Sequence, residues 1–152
     1  MRWWIIILAE KTLQKFLNRL KSNTGVNNAL LLTEDGLLIA ADETSDKLEN
    51  KDEFIKISAV SAGIISMSER VIELITNKNL NQILLKSGKD SERESMTIIL
   101  TLLYENIILL VLFPSEINIG LVFYEIEQIK IEINKFMTDH GNEIILNQES
   151  VL

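Results

Sequence analysis

The sequence predicts an α+β fold: a five-stranded antiparallel sheet with one helix on one face and two terminal helices on the other. Three observations carry this expectation. Short apolar runs flanked by turn signals alternate with long segments of helical periodicity. The short runs are apolar at consecutive positions, so both faces of their sheet are covered. The element order is helix, two strands, helix, three strands, helix, and strands joined by hairpins are antiparallel.

Each element has its own signature. Leu13, Phe16, Leu17 and Leu20 are spaced for an amphipathic helix over about residues 9–22, stopped by Asn23-Thr24-Gly25. Ala29 to Thr33 and Leu37 to Ala41 are apolar runs joined across Glu34-Asp35-Gly36, a hairpin signal because Asp and Gly accept the positive φ of a tight turn. Residues 42–52 are polar and form a loop. A long helix spans about Lys51 to Thr76. Asn81 to Ser87 reads as a strand whose polar ends suggest a sheet edge. Gly88 to Ser95 is a charged hairpin loop, Met96 to Tyr104 a strand, and Glu105-Asn106 a turn. Ile107 to Phe113, apolar throughout, is expected at the centre of the sheet. Pro114-Ser115 ends it. The last helix follows, capped by Ser115 or Asn118 and ending before Gly141, with Ile144 to Leu146 as a candidate short strand.

The middle helix is the most informative element. Projected at about 100° per residue, Ile57, Val60, Ile64, Met67, Val71 and Ile75 share one side, which is expected to pack on the sheet. Ser58, Ala59, Ala62 and Ser66, with Ile55 and Gly63 beside them, form a smooth side of small residues, bordered by Glu69 and Arg70. Two coverings suit such a side: a loop of the same chain, or a second molecule. The second molecule is the preferred expectation, with Asn81, Gln82, Ile83, Leu84 and Leu85 as a dimer edge strand.

Composition narrows the function classes. One domain of 152 residues, 47% apolar, can bury a core. A net charge of −7 without a Lys/Arg cluster argues against nucleic acid, whose phosphates demand basic side chains. The lack of Cys removes disulfides, thiolate metal sites and a Cys nucleophile, and fits a cytoplasmic location. No glycine spacing forms a phosphate loop or dinucleotide fingerprint. His140 is the only His, so neither a zinc site nor a Ser-His-Asp triad has support. No active site, metal or cofactor is expected, and the protein is read as a non-enzyme. Trp3 to Ala9 is an apolar run far shorter than the roughly 20 residues that span a bilayer. It is read first as a strand or helix lead-in, with an interface anchor or a secretion signal as alternatives. The expected organisation is a lead-in over 1–8, a domain over 9–137 and a tail over 138–152.

This order, with its local signatures, resembles the roadblock/dynein light-chain family. The likeness lies in Leu31-Leu32-Thr33-Glu34-Asp35-Gly36-Leu37-Leu38-Ile39-Ala40 of the first hairpin and in the Ser/Ala-rich helix from Ile57 to Val71. It lies also in the junction Phe113-Pro114-Ser115-Glu116-Ile117-Asn118-Ile119-Gly120-Leu121. It covers about residues 9–137. The resemblance implies a dimer whose third strands pair edge to edge with the middle helices side by side, and a partner that is a Ras-like small GTPase. Such a protein activates, positions or localises the GTPase. Passive scaffolding, alone or with a second roadblock-type protein, and a longin- or profilin-like interaction module are the alternatives. Arg2, Arg19, Arg70 and Arg93 are the available arginine fingers, but the resemblance favours positioning over a finger.

Overall fold

The computed structural model describes residues 3–89, 93–104 and 106–150, with side chains described between Leu8 and His140 within those ranges. The elements are α1 (Trp3–Thr24), β1 (Asn28–Thr33), β2 (Leu38–Ala41), α2 (Leu48–Ile75), β3 (Gln82–Lys86), β4 (Met96–Leu102), β5 (Ile107–Pro114) and α3 (Ile119–Ser150). The strands form one antiparallel sheet in the order β2-β1-β5-β4-β3. The apolar run Ile107–Phe113 is its central strand, as expected, and β3 is an edge.

Alternation along the strands divides the core. Ala29, Leu31, Leu109, Val111 and Phe113 point to one face, where α1 supplies Leu13, Leu17 and Leu20 and α3 supplies Val122, Ile126, Ile129 and Ile133. Leu30, Leu32, Ile108 and Leu110 point to the other face, where α2 brings Phe54 and Ile65. Strands with no polar face are therefore explained by helices on both sides.

Helix termini follow local chemistry. Asn118, rather than Ser115, caps α3: its Oδ1 accepts the N–H of Gly120 at 2.9 Å and of Leu121 at 3.3 Å. Ser115 instead bonds Thr97 across the strand end, Oγ to Oγ1 at 3.1 Å. Two sequence expectations at the ends are corrected. Gly141 lies inside α3, and Ile144 to Leu146 continue the helix rather than forming a strand. At the other end the lead-in over 1–8 is helical from Trp3 and runs into α1 without a break.

The polar segment after β2 is an organised corner. Asp42 is fully buried, and its carboxylate accepts the N–H groups of Ala29 at 2.8 Å, Thr44 at 3.0 Å and Ser45 at 3.1 Å, together with the Ser45 hydroxyl and the Lys21 ammonium at 3.3 Å. A buried carboxylate is tolerable only with such a set of donors. This one fixes α1, β1 and the approach to α2.

The largest correction concerns α2. Its buried residues are Phe54, Ser58, Ser61, Ala62 and Ile65, while Val60, Met67, Val71 and Ile75, expected against the sheet, are exposed. The cause is the close approach of the β1–β2 turn. Gly36 has φ +89°, and a Cβ built there would stand 3.0 Å from the Ala59 Cα and 3.4 Å from the Ala62 Cβ. The small residues make room for the chain's own hairpin. The Ser58 hydroxyl needs no outside partner, because it donates to the Phe54 carbonyl at 2.8 Å one turn back.

Candidate interaction surface

Turning α2 inward on its small residues displays its large ones. Val60, Met67, Val71, Leu74 and Ile75 are exposed, from 54% for Val71 to 89% for Leu74. Their spacing follows a helical stripe, with Gly63 beside it and open space where its Cβ would be. Single exposed apolar residues are ordinary on a protein surface, but a contiguous set marks an interaction site.

The edge strand β3 carries a second set of exposed apolar residues. Register pairs Ile83 with Leu100 and Leu85 with Ile98, which places both on the α2 side; Leu84 pairs with Ile99 and faces the α1/α3 side. Leu84 and Leu85 are exposed and Ile83 is half-buried. Among the described residues no strand pairs with the outer edge of β3. Of the five residues expected at a dimer edge, Asn81 and Gln82 have partners inside the protomer. Asn81 accepts from Lys130 Nζ at 3.4 Å and Gln82 donates to Thr101 Oγ1 at 2.9 Å. Ile83, Leu84 and Leu85 remain as the apolar part of the edge.

The expected interface residues of α2 thus separate. Ile55, Ala59, Gly63, Ser66 and Arg70 are exposed and Glu69 is half-buried, whereas Ser58 and Ala62 are sealed inside the protomer. Val60, Met67, Val71 and Leu74 join the candidate surface in their place. The sequence holds both parts of this arrangement, an Asp-Gly turn and small residues on α2, but not the contact that joins them.

At the turn end of α2 lies a groove of about 470 Å³, lined among others by Glu34, Glu69, Glu73, Lys78 and the apolar Ile72 and Leu80. Burial, then the charges of Glu69 and Asp35, push the Glu34 carboxyl above its ordinary value. Among the described residues no three His, Asp or Glu come together as a metal site, and no helix is long and apolar enough to cross a membrane. His140 packs its ring against Phe136 at 4.9 Å. Of the candidate fingers, Arg19 pairs with Glu132, Arg70 and Arg93 are exposed, and Arg2 lies outside the described residues, as do Glu92 and Glu105.

Comparison with known proteins places this architecture. No curated protein matches the sequence. Among solved structures, MglB of Myxococcus xanthus is similar with a TM-score of 0.72 at 16% identity, over 84% of this chain and 96% of that one. The gliding protein MglB of Thermus thermophilus has a TM-score of 0.72 at 14% identity, over 86% and 92%. A Roadblock/LC7 domain from Streptomyces avermitilis has 0.69 at 16%, over 82% and 97%. The family model described as Roadblock/LC7 domain matches residues 12–113, from the first buried turns of α1 to the end of β5, and the chain belongs to that family.

Proposed function

We propose that this chain is a dimeric, non-enzymatic cytoplasmic regulator that binds a Ras-like small GTPase. The observation that carries the reading is the exposed apolar stripe of α2 together with the outer edge of β3, which no strand pairs among the described residues. A second copy docked edge to edge along β3 would extend the sheet and bring the two stripes together. Both needs, backbone pairing and apolar burial, would be met by one symmetric contact. A stable contact of this kind buries on the order of 1,200–2,000 Å² in total.

The GTPase assignment rests on the family and on the likeness to MglB proteins. The surface left beside the dimer contact contains Ile55, Ala59, Ser66, Glu69 and Arg70, which are the residues we assign to the GTPase. A regulator acts only through unequal affinity for the two nucleotide states. Sedimentation at micromolar concentration should give a dimer; a monomer alone would remove the first half of the reading. Titration with a Ras-like GTPase encoded beside this chain should give tighter binding in one nucleotide state. Equal affinity with unchanged hydrolysis would leave a scaffold. Arg70→Ala sorts the mechanism: a loss of about 10³-fold in hydrolysis with binding intact would make Arg70 a finger. We expect hydrolysis to change far less than that, because the domain positions the GTPase's own residues.

A further inference from the structure

The groove at the turn end of α2 is a different surface from the exposed stripe and the β3 edge. Segments distant in the sequence meet around it, among them the end of β1, the last turns of α2, the α2–β3 connection and the end of β4. Ile72, Leu80 and Leu102, all half-buried, give it an apolar lining. Three carboxylates line it as well, those of Glu34, Glu69 and Glu73, against one ammonium, that of Lys78.

These carboxylates are held together without compensation. Glu69 and Glu73 stand one turn apart on α2, a spacing at which like charges repel. Glu34 comes from another segment. Burial, then the charges of Glu69 and Asp35, push its carboxyl above its ordinary value, so Glu69 acts on it directly. Among the described residues the ion pairs are Arg19 with Glu132, Lys21 with Asp42 and Lys51 with Asp46. None of them neutralises the groove, and neither Arg70 nor Lys78 takes part in one.

We propose that this groove receives an arginine side chain carried on an apolar segment of a partner protein. Charge and lining both select that occupant. A bare metal ion needs oxygen ligands converging on one point, and among the described residues no three acidic groups do so. Arginine instead spreads its donors over a planar fork, which suits carboxylates arriving from separate segments. Its methylene stem, and apolar residues beside it, match Ile72, Leu80 and Leu102. An acidic segment would add charge to carboxylates already crowded, and a neutral one would cover them unpaired. Glu69 also belongs to the surface assigned to the GTPase, so the partner's identity rests on that reading; the arginine groove itself does not.

The test needs neither a GTPase nor the dimer contact, which keeps its failure apart from theirs. The probe is the tripeptide acetyl-Leu-Arg-Leu-amide, titrated into the full isotope-labelled chain and followed by the backbone amide resonances. It should bind with a Kd on the order of 1 mM and move the amides of Glu34, Glu69, Leu80 and Leu102 together. The same peptide with citrulline for arginine keeps the shape and loses the charge, and should bind about 10-fold more weakly. Glu69→Gln together with Glu73→Gln should weaken the arginine peptide by a similar factor. The thermal melt of that variant should be no lower, because the substitution removes repulsion. No shift at millimolar peptide would overturn the proposal. Equal binding of the citrulline peptide would assign the groove to an apolar segment and overturn it, as would binding indifferent to the Gln pair. Shifts equally strong at Asp52 and Glu53, at the other end of α2, would reduce the effect to the net charge of −7 and overturn it too. Calcium chloride that moved the same amides at the same concentration would make the site one for any cation, with the same consequence.

Discussion

The two faces of the sheet are built on different terms. On the α1/α3 face, two helices lay rows of Leu and Ile over the strands, and nineteen of the described residues are buried in one cluster. On the α2 face a single helix sits close down on Ser58, Ser61 and Ala62, and the buried cluster has eight members, ringed by half-buried Ile57, Ile64, Ile83 and Ile98. One helix cannot cover five strands. The first face is closed but for Leu84 at the β3 edge, whereas the second leaves apolar surface on α2 and at Leu85 of β3. What separates the closed face from the open one is how much of the sheet each layer covers, not how apolar its strands are.

Substitutions on α2 test this contrast most sharply. Ala62→Glu drives a charge beneath the Gly36 turn, where an uncompensated buried charge costs several kcal/mol. The protomer should lose its cooperative melt or unfold outright, as circular dichroism would show. Met67→Glu, little more than a turn away but 72% exposed, should leave the protomer's stability within about 0.5 kcal/mol and abolish the dimer by sedimentation. If Ala62→Glu stayed folded and became monomeric while Met67→Glu unfolded, the inner and outer sides of α2 would be reversed.

Leu17→Ala probes the completed face. Leu17 is fully buried between α1 and the sheet, so the lost methyl groups and the cavity should cost about 2–5 kcal/mol in denaturant unfolding. Gly36→Ala should cost less, about 1–3 kcal/mol: it adds a Cβ 3.0 Å from the Ala59 backbone and forces an L-residue to φ +89°.

Much of this was legible in the sequence. Period and turn chemistry located the strands and α2 to within a few residues, and the apolar run Ile107–Phe113 identified the sheet centre. Two things were not legible. Which side of α2 is buried depends on the approach of the β1–β2 turn, a contact between segments more than twenty residues apart. Helical projection ranks sides by hydrophobicity and has no access to that contact. The Asp42 corner was hidden in a segment that read as an ordinary polar loop, because its order comes from three backbone N–H groups converging on one carboxylate. Val60, Met67, Val71 and Ile75, exposed on α2, were expected against the sheet because large apolar residues usually belong there.

The smallest expected effect lies at the border between the two kinds of surface. Glu34 follows β1 at the mouth of the groove beside α2, where desolvation, Glu69 and Asp35 raise its carboxyl above 4.5. A carboxyl whose folded value is raised binds protons more readily in the folded state than in the unfolded one. Folding stability is therefore lost as pH rises from the unfolded value of 4.5 through the raised folded value, and the penalty is fully present at neutral pH. Glu34→Gln removes the charge and should raise Tm at pH 7 by on the order of 1 °C. The gain should shrink as pH falls toward 4.5, where the wild-type group takes up its proton. A gain that is constant with pH would assign it to packing at the turn, and a loss at pH 7 would mean that the carboxylate is held by a favourable partner rather than crowded by Glu69 and Asp35.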